Sequence, residues 1–318
     1  MKTEEQQEIH LPSSAGPTAL QPVRRSGQLR SLVFFSVVLV LCFGKPLCDL
    51  VRFAAKSELY SYILLVPFIS CYLIWLKRRN LPVNSEPDRK WALLPWSVGS
   101  LTVAAYWFAV HSGLKLADND YLAGMAFSFV LFLIGIGFLC LGKNTLRALA
   151  FPIGFLIFLI PFPTFLKKEI EGFLQRASAE SADVLFSLSG TPFVRQDMAF
   201  QLPGFSLQVA PECSGIHSTM VLFLTSLIAG QLFLCTPWKR AVLALAILPL
   251  ALLRNGLRIL TIGELCVHVS PDMIHSYIHR RGGPIFFALS LLPFFLLVYL
   301  FRKSEAQSHP ASIVKTEF

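Results

Sequence analysis

The chain predicts an all-α, polytopic membrane protein, and three observations carry that expectation. Of its 318 residues, 54% are hydrophobic and only 15% are charged. Apolar runs recur along the chain, each near the roughly 20 helical residues that cross a hydrocarbon core of about 30 Å. Lys and Arg gather at alternate ends of these runs, which is how topology is encoded in a bilayer.

Residues 1–28 are polar, contain Pro and Ser, and read as a disordered cytoplasmic tail. They lack the short apolar core and small-residue cleavage site of a removable signal peptide. About eight transmembrane helices follow, near 29–47, 59–76, 91–110, 121–141, 147–166, 214–234, 240–260 and 283–301. Lys45-Pro46 interrupts the first of them. The segment 302–318 reads as a second cytoplasmic tail.

Orientation follows from the basic residues. Arg24, Arg25 and Arg30 precede the first run, Lys77-Arg78-Arg79 and Arg89-Lys90 follow the second, and Lys143 and Arg147 separate the fourth from the fifth. Lys239-Arg240 and Arg302-Lys303 complete the set. If every run spans, all of these fall on one side, which predicts that both termini are cytoplasmic. Lys167, Lys168, Arg195, Arg280 and Arg281 lie on the other side and weaken the bias without reversing it. The net charge of +9 is therefore a topology signal, and no nucleic-acid partner is expected.

The longest outer segment is 167–212. Ile170, Phe173, Leu174, Ala177, Val184, Leu185 and Leu188 recur at helical spacing and predict a short amphipathic helix on the outer membrane surface. MAFQL and FSLQV flank Pro203-Gly204, which suits the centre of a type II turn and predicts a hairpin.

The hairpin leads to Pro211-Glu212-Cys213-Ser214-Gly215, a polar turn at the start of an apolar run. A thiol there feels the positive end of a helix dipole, which favours the nucleophilic thiolate, while Glu212 opposes it unless a cation intervenes. Arg254 and Arg258 lie four apart inside the next apolar run, where charge is expensive and usually functional. They suit a thiolate, an oxyanion, or a substrate carboxylate or phosphate. His275 and His279 precede the last run and supply a candidate acid or base. His217, four residues after Cys213, is a rival. Metal binding by these histidines with Glu264 or Asp272 lacks zinc-type spacing. The seven cysteines show no CxxC pair, and Cys42, Cys71, Cys140 and Cys235 read as packing residues.

Together, VAPECSGIHS at 209–218, NGLRI at 255–259 and HRRGGPIFF at 279–287 resemble the exosortase/archaeosortase family. YSYILLVPFISCYLIW and FPIGFLIFLIPFPTFL add weaker echoes, so the likeness runs over roughly 55–300 and lies within a membrane domain at 29–301. The resemblance implies a membrane cysteine transpeptidase with Cys213 as nucleophile, Arg258 in the Asn-x-x-Arg frame and His279 as acid/base. Arg254 and His217 are extra to that pattern. It further implies a bacterial inner membrane, an outward-facing site and links to exopolysaccharide production. The implied substrates are exported proteins with a C-terminal sorting signal: a Pro-Glu-Pro-like motif, a membrane helix and a basic tail. The acceptor nucleophile is an amine, a hydroxyl or water, and no cofactor or metal is required. Two other classes fit the residues alone: a transporter or channel lined by the arginines and histidines, and a non-catalytic assembly factor of an envelope polysaccharide system.

Overall fold

The computed structural model describes residues 21–82, 87–210, 214–270, 272–273 and 283–308. The chain divides into two compact units, the first formed by 1–52 and 63–161 and the second by 53–62 and 162–318. Both are predominantly helical.

The first unit begins with α1 (Gln21–Cys42), whose first turns reach into the stretch read from sequence as tail. The helix breaks at Phe43 and turns by 73° into α2 (Gly44–Lys56), next to the Lys45-Pro46 interruption. Next come α3 (Val66–Lys77), α4 (Arg89–His111), α5 (Asp118–Ala148) and α6 (Ala150–Phe155), which runs into a 3-10 turn over Leu156–Leu159. Asp88 caps α4 by accepting from the Trp91 amide. α4 lies on α5, where the Trp96 indole donates to the Phe132 carbonyl and takes the space above Gly135. Polar groups find backbone partners: the buried Ser70 donates to the Pro152 carbonyl at 2.7 Å and the half-buried Lys77 to the Ala148 carbonyl at 3.2 Å. In lipid no water can take that role.

The second unit is built on α9 (Pro237–His268), flanked by α7 (Thr164–Ser189), α8 (Ile216–Phe233) and α10 (Gly283–Ser308). Between α7 and α8 runs an antiparallel sheet of β1 (Val194–Gln196), β2 (Ala199–Leu202) and β3 (Phe205–Gln208), in the order β1-β2-β3. Pro203-Gly204 joins β2 to β3, with Gly204 at φ 76°. One apolar core holds Phe186, Phe200, Leu207, Val209 and Ile262, so the sheet packs on α7 and α9. Another holds Leu222, Leu243, Ile247 and Phe294, which joins α8, α9 and α10.

The eight spans read from hydropathy are not reproduced. Among the described residues five helices, α4, α5, α8, α9 and α10, are long and apolar enough to cross a membrane, or up to seven if each bent pair counts as one span. The run at 59–76 becomes a 3-10 turn and a 12-residue helix, α3, only about 18 Å long at 1.5 Å per residue. The run at 147–166 becomes α6 and its 3-10 turn, and the helix does not continue through Pro161-Phe162-Pro163. Proline removes a helical donor and constrains the residue before it.

The face that α7 buries also differs from the apolar face read in its sequence. Leu174, Ser178, Ala179, Ala182 and Phe186 are buried, whereas Phe173, Val184 and Leu188 are exposed. The cause lies on α9: a methyl group on Gly256 would come 2.4 Å from Ser181 Oγ, and one on Gly263 would come 2.5 Å from Phe186 Cζ. Small residues let the two backbones approach closely, the usual device between membrane helices.

Candidate functional site

Cys213 and His279, expected as nucleophile and acid/base, lie outside the described residues, as does His275. The chain on both sides of Cys213 is described and is fixed to its surroundings. Upstream, Val209 continues the sheet by donating its amide to the Met198 carbonyl at 2.9 Å. Its own carbonyl accepts from Gln175 Nε2 of α7 at 2.6 Å. Downstream, Gly215 forms the N-cap of α8 in the left-handed conformation, at φ 70°. Its carbonyl accepts from the Thr219 amide at 2.9 Å, Thr219 Oγ1 at 2.8 Å and Ser218 Oγ at 3.1 Å. Ser214 beside it is buried.

Gly215 rests on α9. A methyl group there would come 3.2 Å from Arg254 Nη2 and 3.3 Å from the Asn255 side-chain amide. Arg254 Nη2 also lies 3.5 Å from Thr219 Oγ1. Asn255 donates to Ser178 Oγ at 2.8 Å, a buried bond that ties this turn of α9 to α7. The first turn of α8, the middle of α9 and the small-residue face of α7 therefore converge on the glycine two residues beyond Cys213.

Arg254 is 5% exposed and forms no ion pair among the described residues. Its Nη1 is buried with no hydrogen-bond partner among them. Arg258 is half-buried one turn further along α9. His217, in the first turn of α8, is half-buried, and its Nδ1 has no partner among the described residues. It lies two positions before Thr219, about 200° around a helix, so it emerges from a different side of α8 than the residue facing Arg254.

Three participants escaped the sequence reading: Gln175, Ser178 and Thr219. Thr219 carried a signal, since it follows Gly215 by four and Ser/Thr hydroxyls in helices bond back to that carbonyl. Gln175 and Ser178 carried none, because their partners are distant in sequence. Among the described residues, no group of three or more His, Cys, Asp or Glu side chains is placed to hold a metal ion.

The transmembrane exosortase family model matches residues 50–296, most of the chain. The chain therefore belongs to the transmembrane exosortase family and is a multi-pass membrane protein. No curated protein and no solved structure matches it.

Proposed function

We propose that the protein is an integral-membrane cysteine peptidase/transpeptidase that cleaves C-terminal sorting signals of exported proteins at the outer face of a bacterial inner membrane. The Cys213 thiolate attacks a backbone carbonyl beside the substrate's membrane anchor and forms a tetrahedral oxyanion. Arg258 holds that negative charge. His279 gives its proton to the departing amine, the C–N bond breaks, and a thioester remains. An amine, a hydroxyl or water then attacks the thioester and releases Cys213. This is the general logic of acyl transfer, with one nucleophile, one acid/base and one oxyanion partner.

The observation that supports this reading most is the fixing of Gly215 against the Arg254-Asn255 turn of α9, one turn from Arg258. Gly215 lies two positions after Cys213, and successive Cα atoms are about 3.8 Å apart. Covalent geometry thus tethers the thiol close to two cationic side chains, an environment that favours thiolate. The experiment is co-expression with a tail-anchored candidate substrate, comparing wild type with Cys213→Ala by substrate size on a blot. Processing that vanishes in Cys213→Ala is expected. Equal processing in both would overturn the nucleophile assignment and return the transporter and assembly-factor readings.

A further inference from the structure

The first unit gathers basic residues at one end, and three of its helices bring them there. Lys77, the last residue of α3, donates to the Ala148 carbonyl at the end of α5. The Asp88 amide, just ahead of α4, donates to the Phe138 carbonyl of α5 at 3.1 Å. Lys143 of α5 sets its Nζ 4.1 Å from the centre of the Trp91 ring, in the first turn of α4. Arg79, Arg89, Lys90 and Arg147 are exposed around these contacts and, like Lys143, form no ion pair among the described residues. The acidic group described beside them is Asp88, whose carboxylate caps α4 through the Trp91 amide. Membrane topology asks for basic residues on one side of the bilayer, but it does not ask them to converge.

An open groove of about 530 Å³ leaves this basic end along one face of α4. Lys90 stands at its head, and Leu93, Leu94, Trp96, Ser97 and Ser100 line it. Leu93 and Leu94 are 65% and 64% exposed. From Lys90 to Ser100 the groove runs about 15 Å at 1.5 Å per residue, half of a hydrocarbon core of about 30 Å. That is the depth of one leaflet, with positive charge at the headgroup level and an apolar floor below it. We propose that this surface binds one anionic phospholipid. Arg89, Lys90 and Lys143 hold its phosphate, and one acyl chain lies along the α4 groove. Basic side chains beside a membrane attract anionic headgroups, and an ammonium takes phosphate as a point charge. The exposed Trp91 ring carries Lys143 at the level where indoles sit in a bilayer. A soluble phosphate would leave the leucine floor uncovered. A second protein helix would gain little from leucines that lipid tails solvate equally well. The inference does not depend on the peptidase reading.

The test is native mass spectrometry of the full-length protein, released from detergent micelles that carry phosphatidylglycerol or phosphatidylcholine with identical tails. The wild type is expected to retain one phosphatidylglycerol and to bind it roughly tenfold or more tightly than phosphatidylcholine. Lys90→Gln with Lys143→Gln is expected to weaken phosphatidylglycerol binding roughly thirtyfold, about fivefold for each basic residue. Ser97→Trp fills the groove without changing the charges that set topology, and it is expected to weaken binding as well. It keeps the question answerable if the double variant does not insert. Arg302→Gln with Lys303→Gln removes the same charge from the second unit and is expected to leave binding unchanged. Equal loss in that control would reduce the binding to general attraction between charges and overturn the proposal. Equal retention of the two lipids overturns it too. So does glycerol phosphate binding as tightly as the whole lipid, which would leave the groove no part. A dimer that Ser97→Trp dissolves would assign the groove to a second copy of the chain and overturn the lipid.

Discussion

The Gly215 backbone lies against the Arg254 guanidinium, so that a methyl group on Gly215 would come 3.2 Å from Nη2. Two requirements meet at this glycine: a left-handed φ of 70° and a contact too close for a side chain. Gly215→Ala is therefore expected to destabilise the protein. Left-handed backbone alone costs about 1–2 kcal/mol for a residue with a Cβ, and displacement of Arg254 adds to it. Thermal unfolding in detergent measures the loss. Substrate processing is expected to fall further than the melting shift alone explains, because Cys213 is only two positions from Gly215 in the chain.

A similar close approach holds α7 to α9. Gly256→Val and Gly263→Val would drive side chains into Ser181 and Phe186, with the nearest atoms at 2.4 and 2.5 Å from the first added carbon. Overpacking of this kind costs typically about 1–3 kcal/mol. Gly154→Ala, where nothing lies within 4 Å, is the control expected to leave the melting temperature unchanged. Equal melting of all three variants would refute the close packing of α7 on α9.

Ser178 and Asn255 form a buried hydrogen bond of 2.8 Å between those helices. Ser178→Ala leaves the Asn255 amide short of an acceptor and is expected to cost about 1–3 kcal/mol. The double variant with Asn255→Ala is expected to lose less than the sum of the two single losses, since both remove one shared contact. Unfolding by SDS titration of the four proteins reads this coupling. Strict additivity would show that the bond contributes nothing.

These contacts also mark where the sequence stops being readable. α9 was legible as an apolar run holding two arginines four apart, because charge within such a run is rare and easily seen. The runs at 59–76 and 147–166 were read as unbroken spans because averaged hydropathy does not register backbone breaks, a 3-10 turn over Ser61–Leu64 in the first and Pro161 and Pro163 in the second. The packing face of α7 was illegible for another reason. Lipid tails are as apolar as leucine, so Phe173, Val184 and Leu188 gain little by facing protein, and the small residues opposite Gly256 and Gly263 decide the interface. The cysteine, arginine and histidine candidates could be named from the chain, whereas the contacts of Gln175, Ser178 and Thr219 with Val209, Asn255 and Gly215 needed the fold.

Glu305 gives a prediction far from Cys213 in sequence. Its carboxylate accepts from the Cys235 amide at 2.9 Å and the Thr236 amide at 2.8 Å, just ahead of α9. Beside it the buried Lys239 donates to the Phe301 carbonyl and Ser304 Oγ. A carboxylate here satisfies amides that the helix leaves unpaired and complements its dipole. Glu305→Ala is expected to cost about 1–2 kcal/mol, in the range of a lost N-cap. Glu305→Gln is expected to lose less, since one acceptor remains. A melting temperature unmoved by Glu305→Ala would show that the carboxylate does not hold α10 to α9.

The place of His217 on α8 gives the sharpest test of the acid/base assignment. Thr219 faces Arg254, and His217 emerges about 200° away around α8. From there it does not share the side of α8 that meets the α9 arginines. The general acid must reach the leaving nitrogen on the same side as the nucleophile and the oxyanion partner. His279→Ala is therefore expected to abolish processing and also the thioester, since the unprotonated amine does not leave. No enzyme–substrate adduct should then appear on a non-reducing gel. His217→Asn is expected to retain processing within a few-fold. Normal processing by His279→Ala together with its loss in His217→Asn would transfer the role to His217 and would require α8 to turn its first residues toward Arg258.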